Sequence, residues 1–401
     1  MTDLRLGRML LILLLACLPA ARSQQVVAPR TGQNCALDDS TLYCYGGWVR
    51  DAQNPQNPPV PTNEMLELAL SQSFDLQNPP WNAKSFEALP PIADNQCAIV
   101  GKHFLVFGGN SPYPSDKILD VSLQQSKWWT VDQQGDAPPR LHNAAMAVNK
   151  QNMIYLDGGA GYNANGSPAA LHSPSLYVYQ PLRSLWTKLP ANGSETIHHT
   201  WTPLPDGRFF VYGGKFANGT IRTNATLFYS EDNTWHDVAA QGIPVVGRVG
   251  HSTLLINDRT ILVYGGMTYA DGKPVPAQPD IALFDLPSWN WTAPVMTNVT
   301  NPRTFHSAFL YKKRYMVVAF GQEFTNASVY VEANQTVQIL DLNTYTWLSN
   351  YVVSPQETAT TNAPPPKEDK FSKFASGTRL LVPTALLALV AAVAGGAFIL
   401  V

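Results

Sequence analysis

Charged residues are scarce in this chain, and positive charge is nowhere concentrated. Asp, Glu, Lys and Arg make up 14% of its 401 residues, well below the usual quarter of a folded protein. Lys and Arg number 27 against 29 Asp and Glu, so the formal net charge is −2. Nucleic-acid binding requires clustered positive charge. We therefore expect no nucleic-acid partner.

Cysteine is also rare, with four residues in the chain. Cys17 lies in an apolar N-terminal segment, which leaves Cys35, Cys44 and Cys97 for the folded part. Cys35 and Cys44 flank a candidate hairpin that turns near Asp39, and cross-strand neighbours on one face come close enough to be bridged. We expect a Cys35–Cys44 disulfide, with Cys97 either a buried free thiol or an intermolecular partner.

Both ends of the chain carry apolar runs. Residues 1–23 combine basic Arg5 and Arg8, the apolar run Met9–Leu18 and the small-residue site Ala21–Ser23, a pattern typical of a signal peptide. The run is too short to span a bilayer. We expect secretion, which places the cysteines in an oxidising environment.

The sequence also contains eight Asn-x-Ser/Thr sequons, which in a secreted chain predict a glycosylated surface. Their asparagines are Asn165, Asn192, Asn218, Asn224, Asn290, Asn298, Asn326 and Asn334.

Residues 354–379 are polar and rich in Pro and Thr, which predicts an extended stalk because such a segment cannot bury a core. Residues 380–401 contain no charge and are long enough to cross a bilayer. Small residues at Ala375–Gly377 precede this tail, as in a GPI-attachment signal, while a retained transmembrane helix is the alternative. Either reading places the folded part on the extracellular face of the plasma membrane or the cell wall.

The middle of the chain, residues 24–353, is an internal repeat. An apolar run that ends in Gly-Gly recurs five times and a worn copy ends in Gly-Gln, each followed by a second strand-like run and a Trp. The first glycines are Gly46, Gly108, Gly158, Gly213, Gly265 and Gly321. The tryptophans are Trp81, Trp128 or Trp129, Trp186, Trp235, Trp291 and Trp347.

Units of fifty to sixty residues with four strands, Gly-Gly and Trp resemble the kelch repeat of β-propellers. The resemblance implies an all-β, six-bladed kelch β-propeller, with a Trp filling the wedge between neighbouring sheets in each unit. A stack of unrelated β-sandwiches is the weaker alternative.

The loops that follow the glycine pairs share one face of such a fold, because antiparallel order brings them beside the start of each first strand. Loops on a rigid scaffold commonly bind ligands, and each loop here carries an aromatic residue. These candidate binding residues, which alternatively fill gaps beneath their own loops, are Trp48, Tyr113, Tyr162, Phe216, Tyr269 and Phe324.

Arginine and histidine recur at the openings of the first strands. The kelch pattern implies that they are structural and bond to neighbouring backbone, whereas a metal site would need them much closer together. The residues are Arg140, His142, His199, Arg248, His251, Arg303 and His306. We therefore expect no metal and no cofactor.

These patterns predict a non-catalytic, membrane-attached extracellular module that binds a protein or a glycan through its loop face. The alternative is a copper enzyme that resembles galactose oxidase and oxidises carbohydrates or alcohols, since that enzyme is built on a kelch-type propeller. Its site requires a Cys crosslinked to a Tyr together with further His and Tyr ligands. None of the cysteines in this chain is followed by a recognisable set of such partners, so the sequence favours the binding module.

Overall fold

The computed structural model describes residues 27–353, except residue 55 and residues 112–115, 163–167 and 327–328. These residues form β-strands and a single 3-10 turn at Pro181–Arg183, so the all-β prediction is confirmed. No helix in the described part of the chain has the length and apolarity to cross a bilayer. The predicted signal peptide, stalk and apolar tail lie outside the described residues.

Six sheets, numbered 1 to 6 in chain order, make up most of the described structure, and each contains four antiparallel strands. Sheets 3 and 5 have a fifth strand in addition. The strands of sheet 1 are Asn34–Asp38, Thr41–Tyr45, Met65–Ala69 and Asn82–Lys84. Those of sheet 2 are Gln96–Val100, His103–Phe107, Leu119–Ser122 and Lys127–Thr130. Those of sheet 3 are Ala145–Val148, Ile154–Asp157, Ser175–Gln180 and Leu185–Asn192.

The second half of the chain repeats this order. The strands of sheet 4 are Thr200–Pro203, Arg208–Tyr212, Thr226–Tyr229 and Thr234–Asp237. Those of sheet 5 are Ser252–Asn257, Thr260–Tyr264, Ile281–Asp285 and Asn290–Thr292. Those of sheet 6 are Ser307–Tyr311, Tyr315–Ala319, Val337–Asp341 and Thr346–Trp347.

The first strands of the sheets form an inner ring. Each packs against the first strand of the next sheet, and Ser307–Tyr311 of sheet 6 packs against Asn34–Asp38 of sheet 1. The second strands are buried almost throughout, because neighbouring sheets cover both of their faces. In Tyr315–Ala319, for example, every residue is buried. The core therefore lies mainly between the sheets.

Sheets 6 and 1 are joined by side-chain and backbone hydrogen bonds. The hydroxyl of buried Tyr351 donates to the Leu70 carbonyl (2.9 Å), and Trp81 Nε1 donates to Thr336 Oγ1 (3.0 Å). The strand Asn350–Tyr351 also pairs with Phe74–Asp75. The last described segment of the chain is thus fixed to the first sheet.

The loops that follow the glycine pairs form small sheets of their own. In sheets 1, 4 and 6 a strand at the opening of the unit joins them. The strands are Arg30–Thr31 with Trp48–Val49 and Val60–Pro61, Ala160–Tyr162 with Pro168–His172, Thr196–Ile197 with Lys215–Phe216, Met267–Ala270 with Lys273–Pro276, and Arg303–Thr304 with Gln322–Asn326 and Val329–Glu332.

Glycine is required where the second strands of sheets 1 to 5 end. Gly213 has a φ of +65°, and a Cβ there would lie 2.4 Å from the carbonyl oxygen of Arg248 in the next unit. Any side chain would therefore separate the two sheets. This close approach explains why the glycine pair recurs in the first five repeats. In sheet 6, Phe320 occupies the first position with a φ of +58°, and Gly321 occupies the second, where a Cβ would lie 2.8 Å from the Cβ of His306. The sequence-based assignment of Gly321 to the first position is therefore wrong.

A fifth strand covers the tryptophan of two sheets. Gln134–Gly135 pairs in parallel with the fourth strand of sheet 3, and Gln241–Gly242 does so in sheet 5. The fourth strands of sheets 2 and 4 have no such neighbour among the described residues. Their Trp128 and Trp235 are only half-buried, so the expectation that every Trp fills a wedge is wrong for these two. The buried tryptophans are Trp81, Trp186, Trp291 and Trp347.

Replacing a covered tryptophan destabilises the fold more than replacing an uncovered one. We expect Trp186→Ala to lower the free energy of unfolding by about 3–5 kcal/mol, because it leaves a cavity between sheets. Trp235→Ala is expected to cost about half as much, since solvent already reaches its indole. Urea unfolding monitored by circular dichroism measures both values. Equal losses would contradict the covering role of the fifth strand.

Candidate functional site

Six residues that precede the first strands surround the mouth of a central cavity. Each has a positive φ, between +53° and +65°. They are Gly32, Asp94, Asn143, His198, Gly250 and Phe305. We call this set the mouth ring. The left-handed conformation costs energy for the four residues that are not glycine, so the surrounding structure must enforce it.

Backbone hydrogen bonds between sheets enforce the conformation of the mouth ring. Five of the six N–H groups donate to the carbonyl oxygen of the equivalent residue in the preceding sheet. Five such bonds run around the ring: Asp94 to Gly32 (2.6 Å), Asn143 to Asp94 (3.2 Å), His198 to Asn143 (3.0 Å), Gly250 to His198 (3.4 Å) and Phe305 to Gly250 (2.7 Å).

The mouth ring opens into a cavity of about 310 Å³ lined by all six sheets. At the mouth, Trp48 Nε1 donates to Asp94 Oδ2 (2.9 Å). The rings of His198 and Phe305 meet edge to face, with centroids 5.0 Å apart. Gly250 leaves room for this contact, because a Cβ there would lie 2.8 Å from the Phe305 ring. The mouth thus combines a carboxyl group with three aromatic rings.

Burial changes the pKa of both titratable groups of the mouth ring, Asp94 and His198. It raises the pKa of Asp94 to about 6, although the hydrogen bond from Trp48 favours the charged form. Burial also lowers the pKa of His198 to about 3, so its imidazole is neutral at physiological pH. Asp94 is therefore the group at the mouth whose charge changes near pH 6.

The predicted loop-face aromatics differ widely in exposure. Tyr269 is 40% exposed, whereas Phe324 is 5% exposed and packs against Val249 and Met267. Phe324 is therefore a core residue, in agreement with the alternative that it fills a gap beneath its loop. Tyr113 lies outside the described residues.

The other three aromatics are half-buried. The Arg140 guanidinium lies 3.9 Å from the ring centroid of Tyr162, and Arg222 lies 5.5 Å from that of Phe216. Trp48 is held by its bond to Asp94. These rings pack beneath or beside their own loops, so Tyr269 is the most accessible of the described candidates. The ammonium group of Lys215 lies 5.0 Å from its ring centroid.

The arginines at the openings brace the loops. Arg248 donates to the carbonyl oxygens of Gly265 (2.9 Å) and Pro279 (3.0 Å), at the two ends of the sheet 5 loop. Arg303 donates to the carbonyl oxygens of Phe320 and Gln335 in sheet 6.

Arg30 is the equivalent residue in sheet 1, which the sequence analysis missed. It is buried, donates to the Gly46 carbonyl and pairs with Glu64. The lead-in there reads Arg-Thr-Gly-Gln, with Gln33 at the position that sheets 4 to 6 give to histidine. In the sequence, only the position of Arg30 three residues before Gln33 could have indicated its role.

Histidines link neighbouring sheets. His251 Nε2 lies 3.1 Å from Thr200 Oγ1, and His306 Nε2 lies 2.9 Å from Ser252 Oγ. Burial lowers the pKa of both imidazoles, that of His306 to about 3. Both are therefore neutral, buried linkers.

Arg140 and His142 do not occupy the positions predicted for them. The Cβ of Ala144, not of His142, lies against Gly159, as the Cβ of His251 lies against Gly266. Leu141 likewise takes the arginine position in sheet 3, because its carbonyl meets Gly108 as the Arg248 carbonyl meets Gly213. The Arg140–His142 spacing is one residue shorter than in sheets 5 and 6, which shifts both residues out of register.

His199 bonds to a buried carboxylate that the other sheets lack. Asp157 precedes the glycine pair of sheet 3, where sheets 1, 2, 4 and 5 have Tyr or Phe. Its carboxylate accepts from the Ser194 N–H (2.8 Å) and Trp201 Nε1 (3.1 Å), and His199 Nε2 lies 2.8 Å away. Burial opposes the charge, but the interactions with His199 and Ser194 hold the pKa of Asp157 below its usual value.

Asp157→Asn tests this buried network. We expect a loss of about 2–4 kcal/mol in the free energy of unfolding at pH 7, because a charged acceptor with three partners is removed. The carboxylate stabilises the fold above its unfolded-state pKa of about 3.9, and this contribution disappears as pH falls through the lower folded-state value. The difference between variant and wild type should therefore shrink below about pH 4.

Urea unfolding from pH 2 to pH 7 measures this difference, with Asp271→Asn as the control. Asp271 is exposed, so its substitution should change stability by less than about 0.5 kcal/mol. A difference for Asp157→Asn that stays constant across this pH range would contradict the stabilising role of the charge.

The three cysteines of the folded part and most of the sequon asparagines lie within the described residues. Cys35 and Cys44 are paired across the first hairpin of sheet 1 and joined by a disulfide, with Cα atoms 4.0 Å apart. Cys97 is a free thiol that donates to the Cys35 carbonyl (3.2 Å).

The sequon asparagines differ in exposure. Asn165 and the side chain of Asn326 lie outside the described part of the structure, and Asn290 is half-buried. The exposed sequon asparagines are Asn192, Asn218, Asn224, Asn298 and Asn334.

The galactose oxidase-like alternative requires a cysteine crosslinked to a tyrosine. Cys35 and Cys44 are bonded to each other, which leaves only half-buried Cys97 in the described part of the chain. Within the described ranges, no three His, Cys, Asp or Glu side chains come together as metal ligands.

Comparison with known families accounts for the six similar sheets. The profile of the attractin/LZTR1 β-propeller matches residues 18–239, more than half of the chain. The chain belongs to the attractin/LZTR1 β-propeller family. A second profile, the KLHDC2/KLHL20/DRC7 Kelch-repeats domain, matches residues 198–382 of this chain. The kelch-type propeller prediction is therefore confirmed.

Individual relatives of this attractin/LZTR1-type propeller are distant. Kelch domain-containing protein 10 of Rattus norvegicus and of Homo sapiens are 24% identical over 299 residues, which cover 70% of this chain and 68% and 63% of theirs. The chain thus spans about two thirds of these relatives. A solved structure titled "Structure of YjhT" has a TM-score of 0.61 at 14% identity and covers 81% of this chain and 98% of its own. That similarity concerns the fold alone.

Proposed function

We propose that this chain is a non-catalytic interaction module that binds a partner through its loop face. The partner class is a protein, with a glycan as the second possibility. The observation that carries the proposal is that the loops after the glycine pairs gather on one rigid face around the mouth ring. Tyr269 is exposed on that face, and a tyrosine of this kind supplies a large contact area at low entropic cost.

The kelch relationship supports a protein partner, because propellers of this type generally present their loops to other proteins. The mouth supplies polar groups as well as rings, namely the Asp94 carboxyl and the Asn143 amide. Buried polar groups that are placed precisely give specificity, while aromatic rings give contact area. A binding surface needs both.

We further propose that sheets 1 to 6 are the six blades of one closed propeller, displayed outside the cell. The support for display comes from the signal-like residues 1–23, the eight sequons and the Cys35–Cys44 disulfide. Residues 354–379 would then be a stalk, and residues 380–401 a GPI-attachment signal or a transmembrane anchor. The partner would be met at the plasma membrane or cell wall.

Binding measurements on cells that display the full chain test the proposal. Antibody labelling of intact cells reports surface location, and release by a phosphatidylinositol-specific phospholipase identifies a GPI anchor. A panel of extracellular proteins and a glycan array then identify the partner. We expect Tyr269→Ala to weaken that partner's binding at least about tenfold, with folding unchanged because the ring is exposed.

Trp289→Ala is the matched control. Trp289 is 41% exposed, close to the value for Tyr269, but it lies in the turn between the third and fourth strands of sheet 5. That turn is on the face opposite the loops. Binding should change less than about twofold in this variant. Loss of partner binding in Trp289→Ala, together with unchanged binding in Tyr269→Ala, would contradict the assignment of the loop face.

A further inference from the structure

The outer edge of sheet 4 differs from the outer edges of sheets 3 and 5. In sheets 3 and 5, a Gln-Gly segment from the preceding connection adds a fifth, parallel strand. In sheet 4 the strand Thr234–Asp237 is the last, within the part of the chain that the structure describes. Sheets 3 and 5 therefore show which strand sheet 4 lacks at this edge.

The path of the connection between sheets 3 and 4 explains why sheet 4 lacks a fifth strand. The fourth strand of sheet 3 continues to Asn192, which pairs with Ser175. The chain then enters the next unit at Thr196, where it pairs with Phe216. It never runs alongside Thr234–Asp237, as Gln241–Gly242 runs alongside the fourth strand of sheet 5.

A groove of about 390 Å³ lies at this position. Its lining includes the half-buried Trp235 and the exposed Asp237. Arg222 spans the groove and donates to the Ser194 carbonyl (2.9 Å), while Trp235 Nε1 donates to the Asn192 carbonyl (2.9 Å). A positive side chain, a negative side chain and an aromatic ring thus surround the open outer edge of the strand Thr234–Asp237.

The acceptors of the missing strand are defined by register. In sheet 5, Gln241 N–H donates to the Trp289 carbonyl (2.9 Å) and Ile243 N–H to the Trp291 carbonyl (3.1 Å). Sheet 3 repeats this pattern with the carbonyls of Ser184 (2.8 Å) and Trp186 (3.2 Å).

The hairpin of sheet 4 has the same register, because Phe228 faces Trp235 as Phe284 faces Trp291. Hence the Asn233 and Trp235 carbonyls are the counterparts that point to the edge of sheet 4.

Sheets 3 and 5 also define the occupant. A Cβ at Gly135 would lie 2.2 Å from the Trp186 carbonyl oxygen, and a Cβ at Gly242 would lie 2.2 Å from that of Trp291. Both glycines have a positive φ. Only glycine therefore fits opposite the tryptophan, and an occupant of sheet 4 must place one opposite Trp235.

We propose that the outer edge of sheet 4 docks an extended, glycine-containing peptide of a partner protein, which adds to the sheet as its fifth strand. Main-chain hydrogen bonds to Asn233 and Trp235 supply affinity, and the glycine requirement supplies specificity. The inference extends the proposed function, because it names the chemistry of one partner segment. It does not depend on Tyr269, so Tyr269→Ala should leave peptide binding unchanged.

The chain's own fifth strand is the probe. A fluorescent peptide with the sequence of residues 131–139 is titrated against the full chain, alongside the same peptide with Gly135→Val. We expect saturable binding of the first peptide and at least about tenfold weaker binding of the second. Equal binding of the two peptides, or binding of neither, would overturn the proposal.

Two variants of the chain locate the site. Thr223 is exposed on the rim of the groove, so Thr223→Tyr should fill it and weaken the peptide at least about tenfold. Glu231→Tyr, in the exposed turn before the fourth strand, should change binding less than about twofold. An unaffected Thr223→Tyr variant would place the peptide elsewhere and reject the docking site.

Amide hydrogen exchange distinguishes other occupants. In the free chain the Trp235 amide should exchange faster than those of Trp186 and Trp291, and the peptide should slow it selectively. A Trp235 amide that is already slow would mean that a second copy or another segment of this chain fills the edge. Peptide binding that appears only after removal of N-glycans would mean that a glycan on Asn192 or Asn224 fills it. Either result would overturn the partner-peptide proposal.

Discussion

No single sheet of this protein can bury its own two faces, and every other feature depends on that constraint. A four-stranded sheet becomes stable only when neighbours cover it, so the sheets must be held at close and regular spacing. The mouth ring holds them at the inner edge, because five of its six amides donate to the preceding sheet. The glycine pairs permit the spacing, since the backbone of the next unit lies where a Cβ would be.

Departures from the repeat mark the places where this protein acquires individual properties. Asp157 replaces an aromatic residue and introduces a buried charge between sheets 3 and 4. The connection beside it follows sheet 3 instead of sheet 4, which leaves the edge strand Thr234–Asp237 open. The unusual core and the open edge are therefore neighbours, joined through Ser194, which contacts Asp157 and accepts from Arg222.

Much of the architecture was predictable because its signals are local. Glycine pairs, apolar runs and tryptophans recur at intervals that define four strands per unit. The pairing of Cys35 with Cys44 follows from a tight hairpin, and the structure has this register. The buried role of Arg248 and Arg303 was implied by the kelch pattern, and their bonds to loop carbonyls are consistent with it.

The remainder was not predictable, because it depends on contacts between units. The mouth ring has no shared residue type, since glycine, aspartate, asparagine, histidine and phenylalanine all occupy its positions. Whether Phe324 faces solvent depends on Val249 in the preceding unit. The exposure of Trp235 depends on the path of a connection, to which the sequence Leu189–Asn192 offers no evident clue.

Amide hydrogen exchange of the mouth ring tests most directly whether the sheets form one mutually dependent array. The amides of Asp94, Asn143, His198, Gly250 and Phe305 each bridge two sheets. The account predicts that all five exchange at one slow rate, set by global unfolding. Exchange of one or two of them at the rate of the exposed loops, while the others stay protected, would show that individual sheets open independently and would contradict it.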